Sequence, residues 1–433
     1  MLHCQVGRKG EMKTAADMMK LEERIRAKTC EYGLKLYAES LQRVADETPR
    51  VGSDGRRLTQ GRMQDACVRT PYGTVQVRVF CGRCAASGRF EVPFKEAYCR
   101  GSRFAMTPLL ERHVAVTACE TGSFEKCERL CAEWGCPVSD DKAMDLVRDL
   151  GGSCLDSDLP PLCKDAAGTE DVLIVSLDGW EGRFRGDRWG ENEECRDGHV
   201  DWHDIKSAVM YRLSQVADIS AGRRTIVTKH IVCVPPNTTP EAFAKKVERE
   251  AGRMGMLRAA RVYFIMDGAT YLWNIFDVCF SFYAKGTLDY YHAVQHLAAL
   301  ADALFAGEKD PGPRKEWLDR QCQELKSLGP KTLLETIRAM DWKGIRRREA
   351  RKTAKREAAY FLSHEDHMDY GGNAALGVPI GSGAMESQCS QNQNRFKRRG
   401  QFWSDKGFAD FIEVYARYTN GELKYCFSQR MAA

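Results

Sequence analysis

The sequence predicts a mixed α/β protein built on a sheet with helices packed against it. The run Asp171–Gly179, DVLIVSLDG, is mostly β-branched and continuous rather than alternating, the pattern of a strand buried on both faces. A near-copy, RVYFIMDG, occupies Arg261–Gly268, and both runs stop at Asp-Gly. Between and after them, further strand-like runs are separated by stretches of helical spacing, so strands and helices interleave. Asp-Gly is a common turn pair, and each Asp could simply cap a turn. Two buried strands that end alike favour a functional reading. A carboxylate at a strand end is held rigidly, and the glycine beside it admits a ligand or metal ion.

Composition bounds the rest. A chain of 433 residues exceeds what one hydrophobic core usually supports, so two or three domains are expected. With 43% hydrophobic and 29% charged residues it reads as a soluble protein. The net charge of +5 is mild, but the basic residues are clustered, and local patches decide nucleic-acid binding. The opening MLHCQVGRKGEMK has no apolar core, which predicts no export signal and a cytoplasmic location. The most lipid-like stretch, Val262–Ala284, is interrupted by Asp267 and Asp277, which argues against a membrane span. The 18 cysteines are scattered along the chain and read as reduced thiols rather than a disulfide framework.

In order, residues 13–46 carry Met18, Leu21, Ile25, Leu34, Leu36 and Leu41 near helical spacing and read as one or two helices in an N-terminal region, 1–60. Pro49–Gly61 reads as a flexible connection. In a small region, 61–105, Tyr72–Phe80 alternates as a half-exposed strand and runs into Cys81-Gly-Arg-Cys84. CxxC is half of a zinc knuckle. No second pair lies at convincing spacing, so Cys81 and Cys84 read either as Zn²⁺ ligands or as structural thiols. Residues 106–152 read as three helices, Thr107–Ala118, Ser123–Trp134 and one from Ser139 to Leu150, with a tight turn at Gly135–Val138. That is a helix-turn-helix-like pattern or a plain helical bundle. A linker follows at 153–170.

The sheet domain then takes strands at Asp171–Asp178, Ile205–Tyr211 and Thr225–Val234, with a charged hairpin or loop at Glu181–Asp197. Next come a helix at Pro240–Met254, a strand at Arg261–Met266, a helix around Tyr271–Val278 and a short strand near Phe280–Tyr283. Three strands, a helix, a strand, a helix and a strand match the order of the ribonuclease H-like fold, in which carboxylates gather at the ends of neighbouring strands. Residues 293–378 read as an α-helical insertion between two parts of this domain, 171–292 and 379–425. The basic run Arg346, Arg347, Arg348 to Arg356 is either a solvated helix face or a contact for nucleic-acid backbone.

A third acidic residue appears in Pro379–Gln388, PIGSGAMESQ. Gly381 and Gly383 mark a tight entry, Ser382 can cap a helix, and Glu386 falls in its first turns. Downstream, Arg395, Lys397, Arg398 and Arg399 offer cationic groups for a polyanion, with Gln388, Arg395 and Arg399 expected on or near the Glu386 face.

Taken together, Asp-Gly after a first strand, Asp-Gly-Ala after a later one, LDYYHAVQHL, and GSGAMES followed by NRFKRRGQFWS resemble the DDE transposases of prokaryotic insertion sequences. The similarity is to the group with a C-terminal Gly-Ser-Gly-x-x-Glu motif, and it runs from about Arg69 to Tyr425. It implies that Asp178, Asp267 and Glu386 form the catalytic triad and hold two Mg²⁺ or Mn²⁺ ions. It also implies that Asp289 and His292 stand beside the site in supporting roles. The implied partners are double-stranded DNA, as element ends and target, on a homodimer or larger assembly associated with the nucleoid. Such relatives often carry two Cys-rich pairs, and Thr48–Gly55 stands where the first would fall. Two metal ions about 3.5–4 Å apart can activate a water or 3'-hydroxyl and stabilise the leaving oxygen. Rival readings are a ribonuclease H-fold nuclease that does not join ends, a catalytically silent DNA-binding derivative, and a zinc-binding interaction module.

Overall fold

The computed structural model describes residues 14–98, 105–155, 159–162, 171–191, 199–220 and 223–432. The chain divides into two compact units, Met1–Ser157 with Leu423–Ala433, and Asp158–Glu422.

The first unit opens with α1, Ala15–Glu47, a single helix of 33 residues. Thr14 and Asp17 cap it reciprocally, which satisfies two backbone donors at once. Strands β1, Thr59–Thr70, and β2, Gly73–Arg83, form an antiparallel hairpin closed at Thr70↔Gly73. The short β3, Phe90–Glu91, pairs with β2, and α2, Pro93–Tyr98, follows. Val75, Val77 and Val79 are buried, with Leu34, Tyr37, Ala38 and Leu41 of α1 packed against their cluster. Met18, Ile25 and Leu36 are exposed, so only the second half of α1 uses its apolar spacing. Strand β1 takes in the end of the expected connection. Only Ala66, Val68 and Thr70 of it are buried, too short an alternation to read as a strand of this length. Cys81 and Cys84 are both buried. Among the described residues, no metal-like group of three His, Cys, Asp or Glu includes them, although the carboxylates of Asp54 and Glu91 reach Cys84.

Three helices complete the unit: α3, Pro108–Thr121; α4, Phe124–Glu133; and α5, Asp140–Leu155. Ser123 caps α4 through the Lys126 amide at 3.3 Å. Gly122, at φ 59°, ends α3 in the left-handed conformation that glycine adopts without strain. Leu110, Val114, Ala118, Cys127, Leu146 and Leu150 are buried. The closing helix, Leu423–Ala432, returns to α5, where Cys154 and Cys426 form a disulfide across 272 residues of sequence. This pair departs from the expectation of reduced thiols throughout.

The second unit holds a five-stranded sheet of order β10-β9-β4-β5-β8. Its strands are β4, Val172–Arg185; β5, Val200–Arg212; β8, His230–Cys233; β9, Arg261–Met266; and β10, Lys285–Leu288. β4, β9 and β10 run parallel, while β5 is antiparallel to β4 and to β8. The sheet is therefore mixed, as expected. Strands β6, Val216–Ser220, and β7, Arg223–Ile226, form a separate hairpin. The helices are α6, Pro240–Arg253; α7, Thr270–Cys279; α8, Tyr290–Leu304; α9, Gly312–Leu328; α10, Lys331–Arg338; α11, Arg348–Ser363; α12, Tyr370–Ala375; α13, Gly383–Phe396; and α14, Asp405–Thr419.

Leu173, Val175 and Leu177 share one core with Phe243 and Val247 of α6 and Leu272 and Phe276 of α7. On the alternate residues, Trp180 stacks on Phe396 of α13 at 5.9 Å, and Phe184 meets Phe408 of α14 edge-on at 5.2 Å. Helices thus cover both faces, which is why β4 reads as a continuous apolar run.

Three expectations need correction. β4 does not end at Asp178 but continues to Arg185 as a long hairpin with β5. Thr225–Val234 is split between β7 and β8. The final strand lies at Lys285–Leu288 rather than Phe280–Tyr283; Phe280 is wholly buried and closes α7 instead. No helix among the described residues is long and apolar enough to cross a membrane.

Candidate metal centre

The register of the parallel strands brings the acidic residues together. Leu177 and Leu288 both pair with Met266, so Asp178, Asp267 and Asp289 each follow the last paired residue on adjacent strands. Carboxyl ends of parallel strands are where open α/β sheets bind ligands. Along β4, pairing with β9 stops at Leu177, and Trp403 takes the same role further on. Trp403 accepts from the Arg185 amide at 2.8 Å and donates to the Arg183 carbonyl at 3.1 Å. Asp178 sits in the gap between these two neighbours.

Asp178 accepts from the Gly179 amide at 2.7 Å, and the Cys389 thiol approaches it at 3.7 Å. Burial pushes its carboxyl up to about 6, with the Asp267 charge adding to the rise; the Gly179 amide, Cys389 and His292 pull the other way. Asp267 accepts from the Ala269 amide at 3.0 Å, and its carbonyl accepts from the Trp273 indole at 2.7 Å. These bonds fix the turn into α7.

Asp289 is wholly buried. One carboxylate oxygen accepts from the amides of Tyr291 at 2.6 Å and His292 at 3.1 Å, capping α8. The other accepts from the Ser382 amide at 2.6 Å and from the Ser382 hydroxyl. Ser382 therefore does not cap α13 through its side chain, as the sequence suggested; its hydroxyl is spent on Asp289. The result is a clamp that ties the start of α8 to the start of α13. Gly381 is required beside it, because a Cβ there would lie 2.6 Å from the Tyr291 ring.

Glu386 lies in the first turn of α13, with its side chain 52% exposed. Its carboxylate is 3.9 Å from His292 Nε2, and ligand atoms of Asp289, His292 and Glu386 all lie within 4.8 Å of one another. Cys389, the residue touching Asp178, follows Glu386 by about one helical turn. The helix thus runs alongside β4 with Glu386 and Cys389 on neighbouring turns. Hard divalent cations take carboxylate oxygens, and this donor set suits one.

Sequence reasoning missed three neighbours. Asp204 of β5 sits across from Glu181, and its carboxylate lies where a Cβ on Gly179 would be, at 2.2 Å. Burial raises its carboxyl, Lys206 lowers it, and Glu181 and Asp267 raise it further. Tyr271 of α7 has its hydroxyl pushed up by burial and by the charges of Asp204, Asp178 and Asp267. Cys389 is raised by burial and by Asp178. The usable signal for Asp204 was alternation: Trp202, Asp204 and Lys206 share one face of a strand.

The expected cationic residues divide. Arg395 lies 5.2 Å over the Tyr415 ring, and Lys397 lies 4.6 Å over Trp202. The carbonyls of Lys397 and Arg398 accept from Arg183, whereas the Arg399 side chain is exposed beyond the end of α13. Gln388 is buried and bonds Asn392 at 2.8 Å, so it does not share the open face of Glu386. Arg346, Arg347 and Arg348 are exposed. The Arg347 guanidinium lies beside Gly307, past the C-terminal end of α8, while His292 is at its N-terminal end. A helix of that length spans roughly 20 Å, so Arg346, Arg347 and Arg348 are remote from the carboxylates, while Arg356 at the end of the run pairs with Glu357, which bonds His296 one turn from His292.

No family model matches the chain, and no curated protein does. The site therefore rests on its own geometry. A second acidic group, His230, Glu250 and Glu422, also has metal-like spacing. It is buried among Arg253 and Arg417, which pair with both glutamates. Its negative charge is already matched by protein, unlike that of Asp178 and Glu386.

Proposed function

We propose that the chain is a metal-dependent DNA-cleaving and strand-transferring enzyme of the DDE transposase kind, acting on the ends of an insertion sequence. The observation that carries this reading is the register: Asp178 and Asp267 directly follow the last β4–β9 pair, Leu177↔Met266, and α13, which carries Glu386, touches Asp178 through Cys389. The sheet order β8-β5-β4-β9-β10, with β4, β9 and β10 parallel and β5 antiparallel, supports a ribonuclease H-like domain and with it the same reading. So does the three-helix cluster of α3, α4 and α5, whose last two helices suit a helix-turn-helix contact with duplex DNA.

In this mechanism Asp178, Asp267 and Glu386 would hold the metal. Mg²⁺ or Mn²⁺ bound there would supply Lewis acidity for attack on a phosphodiester by water and then by the freed 3'-hydroxyl. Asp289 keeps His292 and Glu386 in place through its clamp. Arg399 and Lys397 stand close in sequence to α13 and offer charge to the DNA backbone. Joining two ends calls for a homodimer or larger assembly, working in the cytoplasm on nucleoid DNA.

The test is an assay with Mg²⁺ or Mn²⁺, labelled element-end DNA and a supercoiled target, comparing wild type with Glu386→Gln. Metal-dependent cleavage and joined product are expected in wild type, with a loss of at least about 10²-fold in the variant. Cleavage without joining would replace the proposal with a nuclease. DNA binding with neither activity would replace it with a silent DNA-binding protein.

A further inference from the structure

We infer that His292 is a direct nitrogen ligand of the metal at this centre and biases it toward a transition ion, Mn²⁺, over Mg²⁺. The inference rests on the metal-dependent reading above and deepens it by naming the ion class and a donor. The first observation is the 3.9 Å separation of His292 Nε2 and Glu386. That is longer than an N–H···O hydrogen bond of about 2.7–3.2 Å. It falls within the roughly 3–4.2 Å spanned by two donors of one ion when each bond is about 2.1 Å.

The second observation is how the pair is held. His292 and Glu386 belong to the first turns of different helices, and both turns hang on one carboxylate. Asp289 takes the His292 amide on one oxygen and the Ser382 amide and hydroxyl on the other. Such support from a buried group is how a protein preorganises ligands before the ion arrives. It also distinguishes the three residues of the cluster. The oxygens of Asp289 already accept four hydrogen bonds, whereas the His292 ring is 34% exposed and the Glu386 side chain 52% exposed. Asp289 is a positioning residue; His292 and Glu386 are the donors.

The choice of ion follows from donor chemistry. Mg²⁺ demands oxygen ligands and keeps its water, while imidazole suits first-row transition ions. Mn²⁺ accepts both a nitrogen donor and a carboxylate-rich set, which is the combination present. Asp178, whose carboxyl feels the charges of both Asp267 and His292, is the nearby source of further oxygens.

The test uses the full chain and metal alone. Pulsed electron paramagnetic resonance on bound Mn²⁺ reads directly coupled ¹⁴N, and calorimetry gives the Mn²⁺ and Mg²⁺ affinities. Wild type should show the nitrogen coupling. His292→Ala should lose it, with Mn²⁺ affinity falling about 10- to 100-fold and Mg²⁺ affinity changing less than about threefold. His292→Asn, closer in size and polar, carries the same reading if the alanine variant does not fold. Mn²⁺ bound in wild type without nitrogen coupling, or with coupling that survives both substitutions, would overturn the role of His292 and leave the carboxylate reading standing. No Mn²⁺ binding by wild type, with Glu386→Gln and Asp178→Asn indistinguishable from it, would overturn both.

Discussion

At the scale of single residues, Asp178 shows how a useful carboxylate is made from a costly one. It is partly buried, faces Asp267, and has its carboxyl raised from 3.8 to about 6. The raised value means that the folded protein binds the proton more tightly than the unfolded chain. Below about 3.8 both states are protonated and Asp178 costs nothing; between 3.8 and 6 folding must increasingly tolerate the charge. Its destabilising effect is complete above 6. Metal-free Asp178→Asn should therefore melt higher than wild type at pH 8, by up to about 3 kcal/mol of stability. The difference should shrink to near zero at pH 4, read by thermal unfolding in chelator. With metal present the order should reverse, because the ion supplies the missing countercharge. The places of Asp267, after a strand, and Glu386, in the first turn of a helix, were legible from strong local signatures, whereas Asp178 closes an apolar run without ending its strand. Asp204 was not legible, because its place beside Gly179 depends on the β4–β5 register, which only the folded hairpin sets.

At the scale of elements, the strand runs and helix spans of the second unit were largely readable from apolar continuity and capping. The length of β4 and the position of β10 were not. β4 passes through Asp-Gly because β5 pairs with it along its whole length, a long-range partner that outweighs a local turn preference. The ion network linking β8, α6 and α14 was equally hidden. Glu250 contacts His230 at 3.0 Å, Arg249 at 3.1 Å and Arg417 at 3.9 Å, and also pairs with Arg253. Burial pushes its carboxyl up, but the His230 hydrogen bond and the charges of Arg253, His230 and Arg417 outweigh that and hold it far below 4.5. A depressed carboxyl contributes stability that is fully present above 4.5 and lost as pH falls below it. Glu250→Gln should leave buried Arg253 and Arg417 short of a partner and lower stability by about 3–5 kcal/mol at pH 7. Denaturant melts should show that gap narrowing as the pH is lowered from 5 toward 2.

At the scale of the whole molecule, the chain leaves its first unit after Ser157, builds the sheet unit to Glu422, and returns at Leu423. A unit completed by a distant helix depends on that return. The contact between Cys154 and Cys426 spans 272 residues, so nothing near either cysteine in the sequence announces it; each reads as an ordinary apolar-face thiol. In the unfolded chain such a bridge closes a very long loop, and removing it should cost about 2–5 kcal/mol. The cost falls on the first unit, because both cysteines belong to it. Reductant should therefore lower the unfolding temperature of the helical unit in wild type, and Cys426→Ser should reproduce that lower value and no longer respond to reductant. Metal binding at Asp178 and Glu386 belongs to the other unit and should be unchanged by either treatment when measured below the first transition. A reductant-insensitive wild type would mean that α5 and the returning helix are held by packing of Leu146, Leu150 and their neighbours, with the bridge adding nothing.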